Sequence, residues 1–77
     1  MEREQKEVHY MDTGELIRNL RIKKGMTQRQ LGQACGIDEA NIRKYESGRQ
    51  NPKYETIQKI AAALGVNTLE LFPEYSK

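Results

Sequence analysis

Four glycines, at positions 25, 36, 48 and 65, each close a stretch whose apolar residues recur with helical spacing. Glycine is favoured just past a helix end because it enters the left-handed conformation without steric cost. The starts carry a matching mark: an apolar residue, a capping candidate, and a second apolar residue four positions beyond the cap. The pattern occurs as Met11-Asp12-Leu16, Met26-Thr27-Leu31, Ile37-Asp38-Ile42 and Val66-Asn67-Leu71, with Pro52-Lys53-Ile57 as an imperfect fifth. This is the spacing of a hydrophobic staple, in which the residue before the cap packs on the first helical turn. Thr27 with Gln30 completes a strict capping box, and Asp12 with Glu15 and Asn67 with Glu70 are close variants. Helices are predicted over 13–24, 28–35, 39–47, 54–64 and 68–72, a compact all-α five-helix bundle. No alternating run flanked by hairpin turns argues for a sheet.

The core follows from the same periodicity. Ile57, Ile60, Ala61 and Leu64 fall at i, i+3, i+4 and i+7 of helix 4, and that face must be buried. Leu16, Ile17 and Leu20 supply helix 1, Leu31 with Ala34 or Cys35 helix 2, Ile42 with Tyr45 helix 3, and Leu69 with Phe72 helix 5, after which Pro73 stops the chain. Seventy-seven residues make one domain with a thin core, because a chain this short removes only roughly 60% of its unfolded surface from water. Its expected extent is 13–73, between a mobile acidic leader over 1–12 and a frayed end over 74–77.

Several function classes are disfavoured at this level. No apolar run approaches the roughly 20 residues of a membrane-spanning helix, and the charged start over 1–7 lacks a signal-peptide core. A single cysteine, Cys35, cannot form an internal disulfide, and with His9 it makes a poor start for a metal site. Cys35 reads as a small buried apolar side chain, and a reducing cytoplasm as the expected location. No nucleophile and base can be assembled from these residues and no phosphate-cradling glycine loop is present, so no enzyme, cofactor or small-molecule ligand is expected. The net charge of +2 hides an asymmetry. Residues 16–54 carry nine basic side chains against three acidic ones, whereas the flanking segments are net acidic. Positive potential concentrated in the middle of the chain suits a polyanionic partner.

Helices 2 and 3 are short and joined only by Gly36, Ile37 and Asp38, a link suited to a sharp crossing. That is the layout of a helix-turn-helix. Gly32, inside helix 2, costs roughly 1 kcal/mol relative to alanine unless its missing side chain lets another element approach, and helix 3 is the expected neighbour. With Ile42 facing the core, Ala40, Arg43, Lys44 and Ser47 lie on the opposite side of helix 3, a small, basic, hydrogen-bonding stripe. A major groove about 12 Å wide admits one helix, and such side chains reach guanine O6 and N7 or touch a thymine methyl.

The run from Arg21 to Phe72, with Gly25-Met26-Thr27-Gln28, Leu31, Gly36-Ile37, Ile42, Glu46-Ser47-Gly48, Asn51-Pro52 and Ala63-Leu64-Gly65-Val66, closely resembles the phage-repressor and Cro (XRE) family of helix-turn-helix domains. The resemblance implies a lambda-repressor-like bundle that binds double-stranded DNA as a transcriptional regulator, commonly a repressor. The third helix, 39–47, would enter the major groove, with a homodimer on a palindromic operator. It further implies base reading by Glu39, Ala40, Asn41, Arg43 and Lys44, and phosphate contacts from Thr27, Gln28, Ser47, Arg49, Asn51, Lys53 and Tyr54. Arg21 and Glu46 match positions that pair as ions between helices 1 and 3 in relatives. Dimerisation is expected around Val66, Leu69 and Phe72. Glu39 departs from the family, placing a carboxylate where an amide or hydroxyl is common; it could accept from cytosine N4 or orient Gln28 or Arg43. The alternative reading is a protein-interaction module, an antitoxin or transcriptional adaptor, on the same fold. An apolar patch on helix 3 would favour it.

Overall fold

The structure, a computed structural model, describes residues 12–73. The expected leader, apart from Asp12, the expected frayed end and His9 lie outside the described residues. Four α-helices follow in order: α1 (Thr13–Lys23), α2 (Gln28–Cys35), α3 (Glu39–Ser47) and α4 (Tyr54–Leu64).

The expected fifth helix is not an α-helix. Thr68–Leu71 forms a four-residue 3-10 turn, so the bundle has four α-helices among the described residues instead of five. Its hydrogen bonds run from Glu70 N–H to the Asn67 carbonyl and from Phe72 N–H to the Leu69 carbonyl, the tighter i to i+3 pattern. Asn67 caps its start and Pro73 blocks its extension, which leaves too few residues for an α-helical ladder. The change of pitch also corrects the core. In a 3-10 turn residues i and i+3 eclipse, so Thr68 and Leu71 face inward and Leu69 and Glu70 face outward. Leu71 is fully buried, while Leu69, expected inside, is half exposed.

The helix starts form largely as their sequence marks direct. Thr27 and Gln30 close a reciprocal capping box, and Asp12 Oδ1 accepts from the Glu15 N–H at 2.8 Å. Each such cap contributes about 1 kcal/mol by satisfying an otherwise orphaned amide. Asp38 differs: its side chain makes no capping hydrogen bond, and its carbonyl alone receives the Asn41 and Ile42 amides.

The core gathers Ile17, Leu31, Ile42, Ile60, Leu64 and Leu71, all fully buried, with Leu16, Tyr45, Ile57 and Ala61 around them. Burying each large aliphatic contributes about 1.5–3 kcal/mol. Of the two alternatives for α2, Cys35 packs on this cluster and Ala34 is exposed. Ile37 also leans on the core from the turn, which anchors the link between α2 and α3.

Two glycines set how closely the helices meet. A Cβ on Gly32 would run into the Ile37 carbonyl oxygen, with the Glu39 nitrogen 3.5 Å away. The neighbour is therefore the turn and the first residue of α3, rather than the body of α3. At the other end of α3, a Cβ on Gly14 would strike the Tyr45 carbonyl oxygen and lie 3.1 Å from that of Glu46. Both ends of α3 are thus seated against backbone with no side chain between. Gly36, at φ 71°, supplies the left-handed residue that ends α2 and starts the turn.

Candidate nucleic-acid interface

Seated in this way, α3 buries Ile42, Tyr45 and Glu46 and turns the rest of its surface outward. Ala40, Arg43, Lys44 and Ser47, joined by Arg49 from the following loop, line one open concavity of about 160 Å³. Five of the residues singled out from the sequence are thereby brought together. Arg43, Lys44, Ser47 and Arg49 are exposed and Ala40 is half-buried, so the floor is apolar and the walls are cationic and hydrogen-bonding. Arg49 stands just past the left-handed Gly48, its own N–H donating to the Lys44 carbonyl at 3.0 Å, which folds the loop back beside α3.

Glu39 does not join that concavity. It lines a neighbouring open groove with Arg29, Gly32, Gln33, Gly36, Ile37 and Asp38. Its Oε2 accepts from a terminal guanidinium nitrogen of Arg43 at 3.3 Å, one helical turn further on. Of the two neighbours expected for this carboxylate, Arg43 is the one engaged. Asn41 is half-buried between the two faces, and Asn51, Lys53 and Tyr54 are exposed beyond the loop. Tyr54 stacks on Phe72 with ring centroids 6.1 Å apart, so the start of α4 and the segment after the 3-10 turn share one edge. Thr27 is occupied locally, its hydroxyl oxygen accepting from the Gln30 N–H at 3.0 Å.

Behind α3 a buried polar network holds its back face. Arg21 Nε donates to Glu46 Oε2 at 2.7 Å and a terminal guanidinium nitrogen to Oε1 at 3.0 Å, the forked geometry in which arginine binds a carboxylate best. The remaining terminal nitrogen of Arg21 donates to the Met26 carbonyl at 2.8 Å. Gln28 Nε2 donates to Glu46 Oε1 at 3.1 Å. One carboxylate on α3 therefore ties together α1, the link before α2, and the first residue of α2. The ion pair was legible in the sequence, but the Gln28 and Met26 members were not. Since a carboxylate only accepts, Gln28 must present its amino group to Glu46.

Burial pushes the Cys35 thiol up from its ordinary value, against weaker opposing effects from backbone hydrogen bonds and Lys59, and its sulfur donates to the Leu31 carbonyl at 3.1 Å. A neutral, hydrogen-bonded thiol of this kind is a packing group. Among the described residues no cluster of His, Cys, Asp and Glu could hold a metal ion, and no helix is long and apolar enough to cross a membrane.

Residues 17–71 match the family model described as Helix-turn-helix. The chain belongs to the helix-turn-helix family. Among curated relatives of this helix-turn-helix chain is the cryptic phage CTXphi transcriptional repressor RstR of Vibrio cholerae, 36% identical over 55 residues; the match takes in 71% of this chain but 50% of the repressor. The chain thus spans about half the length of that relative. Among solved structures, the restriction-modification controller protein C.AhdI from Aeromonas hydrophila superposes with a TM-score of 0.76 at 35% identity, covering 78% of this chain and 91% of that one. The P22 c2 repressor, solved in complex with a synthetic operator, gives a TM-score of 0.75 at 27% identity over 80% of this chain and 94% of that one. The helix-turn-helix of this chain is therefore of the phage-repressor and controller-protein type that its sequence resembles.

Proposed function

We propose that this chain binds double-stranded DNA sequence-specifically, with α3 in the major groove, and acts as a transcriptional regulator, a repressor in the first instance. The observation that carries the reading is the concavity of Ala40, Arg43, Lys44, Ser47 and Arg49 on the outward face of α3. It offers a small apolar floor for a thymine methyl, donors for base edges, and a loop cation at the rim for phosphate. The base-reading set is Glu39, Ala40, Asn41, Arg43 and Lys44; Thr27, Gln28, Ser47, Arg49, Asn51, Lys53 and Tyr54 serve the backbone. The P22 c2 repressor, similar in fold at 27% identity, is solved in complex with a synthetic operator, which supports duplex DNA as the partner. The family's regulatory relatives argue for a role without catalysis.

The protein-interaction alternative has less behind it. Among the described residues the exposed large hydrophobics are Ile22, Tyr54 and Leu69, and α3 carries none of them. Leu69 instead suits the proposed homodimer, formed around Val66, Leu69 and Phe72 and matched to a palindromic operator. Sedimentation with a selected palindromic duplex is expected to show two chains per duplex. One chain per duplex would remove the dimer.

Selection from random duplexes, followed by titration at two salt concentrations, tests the reading as a whole. Enrichment of a defined site is the expected result, and binding that never exceeds the level of unselected DNA would end the proposal. Lys44→Ala is expected to weaken binding to the selected site by about 1–3 kcal/mol and to relax preference at one base pair. Arg49→Ala, in contrast, should weaken all sequences alike and reduce the slope of log K against log salt by about one unit. A loss confined to the selected site would contradict the phosphate role of Arg49.

A further inference from the structure

We infer that Glu39 and Arg43 form a single reading unit for a G·C base pair, in which Glu39 is the positioning residue and Arg43 the residue that contacts guanine; this rests on the DNA-reading proposal above. The two lie at i and i+4 on α3, with the carboxylate towards the helix N-terminus, the order in which such pairs meet best. Arg43 donates to Glu39 Oε2 at 3.3 Å, and both side chains are well exposed, Arg43 at 58% and Glu39 at 42%. A pair so open to water contributes little to folding stability. Its consequence lies in the order it imposes on a long side chain at the edge of the reading concavity, where Arg43 stands with Ala40, Lys44, Ser47 and Arg49.

The chemistry of the two groups then selects the base pair. A guanidinium is donor-only, with five N–H groups, and the bond to Glu39 engages one nitrogen. Guanine presents two acceptors, O6 and N7, side by side on its major-groove edge, and the guanidinium fork fits both at once. Adenine presents one acceptor beside a donor, so it can take only half of that fork. The nitrogens that Glu39 does not engage are left to guanine, which makes G·C the favoured pair. Biasing the guanidinium towards this pose beforehand lowers the entropy lost on contact, which favours guanine.

The test is selection from random duplexes by the wild-type chain and by Glu39→Gln, Arg43→Ala and the double variant, each first shown to retain the helical circular dichroism of the parent. The expected wild-type site contains a G·C pair at which Arg43→Ala removes the preference. Glu39→Gln is expected to lower discrimination at that same pair by about tenfold, and to change nothing further once Arg43 is alanine. A merely structural role for Glu39 would lower affinity for every sequence without touching this one position. A selected site whose Arg43-dependent pair is A·T, or a G·C preference that survives Glu39→Gln unchanged, overturns the inference while leaving DNA reading intact. Failure of the wild-type chain to enrich any sequence removes the DNA reading itself, and the inference with it.

Discussion

Glu46→Ala is expected to destabilise the domain by about 3–5 kcal/mol, because it leaves the buried charge of Arg21 without its counter-ion. The Glu46 side chain is 3% exposed and that of Arg21 11%, so little water reaches either group in the folded domain. Arg21 would keep only its hydrogen bond to the Met26 carbonyl, and Gln28 would lose its acceptor as well. For a domain of this size each kcal/mol lowers the melting temperature by roughly 4–8 °C, so a fall of about 12 °C or more should appear in thermal unfolding. Replacing both partners, as Arg21→Met with Glu46→Met, removes the stranded charge and should recover part of the loss relative to either single change. A cost below about 1 kcal/mol for Glu46→Ala would mean that the network does not hold α3. The functional consequence runs through position. The carboxylate sits on the back of α3 and grips α1 and the start of α2, so loosening it is expected to reduce DNA affinity even though Glu46 faces away from the reading concavity.

The particular residues show what the sequence discloses and what it leaves to packing. Helices α2, α3 and α4 run over the residues that the staple pattern and the closing glycines mark, through local packing and dihedral preferences, and of the three only α2 also has a side-chain cap hydrogen bond. The fifth segment defeats the same reasoning. Its cap and staple are present, yet cap chemistry does not distinguish an α-helical turn from a 3-10 turn, and only the pitch decides that Leu71 and not Leu69 is buried. On the interface, the exposed stripe of α3 follows from helical phase once Ile42 is known to face inward, so Ala40, Arg43, Lys44 and Ser47 could be grouped beforehand. The addition of Arg49 to that concavity and the bond from Gln28 to Glu46 depend on how loops and helices meet in space. Chain spacing carries no trace of either. The pairing of Glu39 with Arg43 lies between these cases: the i, i+4 spacing permits it, but a flexible arginine has other choices.

Gly14→Ala should lower stability by about 2 kcal/mol, although alanine is the better helix former. Within a helix, exchanging glycine for alanine normally gains roughly 0.5–1 kcal/mol through reduced backbone entropy. Here the new methyl would be driven into the Tyr45 carbonyl oxygen, with the Glu46 carbonyl oxygen 3.1 Å away, and neither is the tip of a side chain that can swing aside. Overpacking against a fixed neighbour costs about 1–3 kcal/mol and occasionally more, so the clash outweighs the helix gain. The sequence carries a hint, since a glycine inside a predicted helix marks a close approach at Gly14 as much as at Gly32. Relief of the clash requires α1 to move away from the end of α3, which also stretches the bonds between Arg21 and Glu46. Gly25→Ala provides the comparison: nothing lies within 4 Å of its added carbon, and only its φ of 73° opposes the change, a cost of about 1 kcal/mol. Urea unfolding of the two variants is expected to place Gly14→Ala well below Gly25→Ala in midpoint, with similar slopes. Equal midpoints would show that α1 and α3 do not meet backbone to backbone, and the seating of the reading helix would need another explanation.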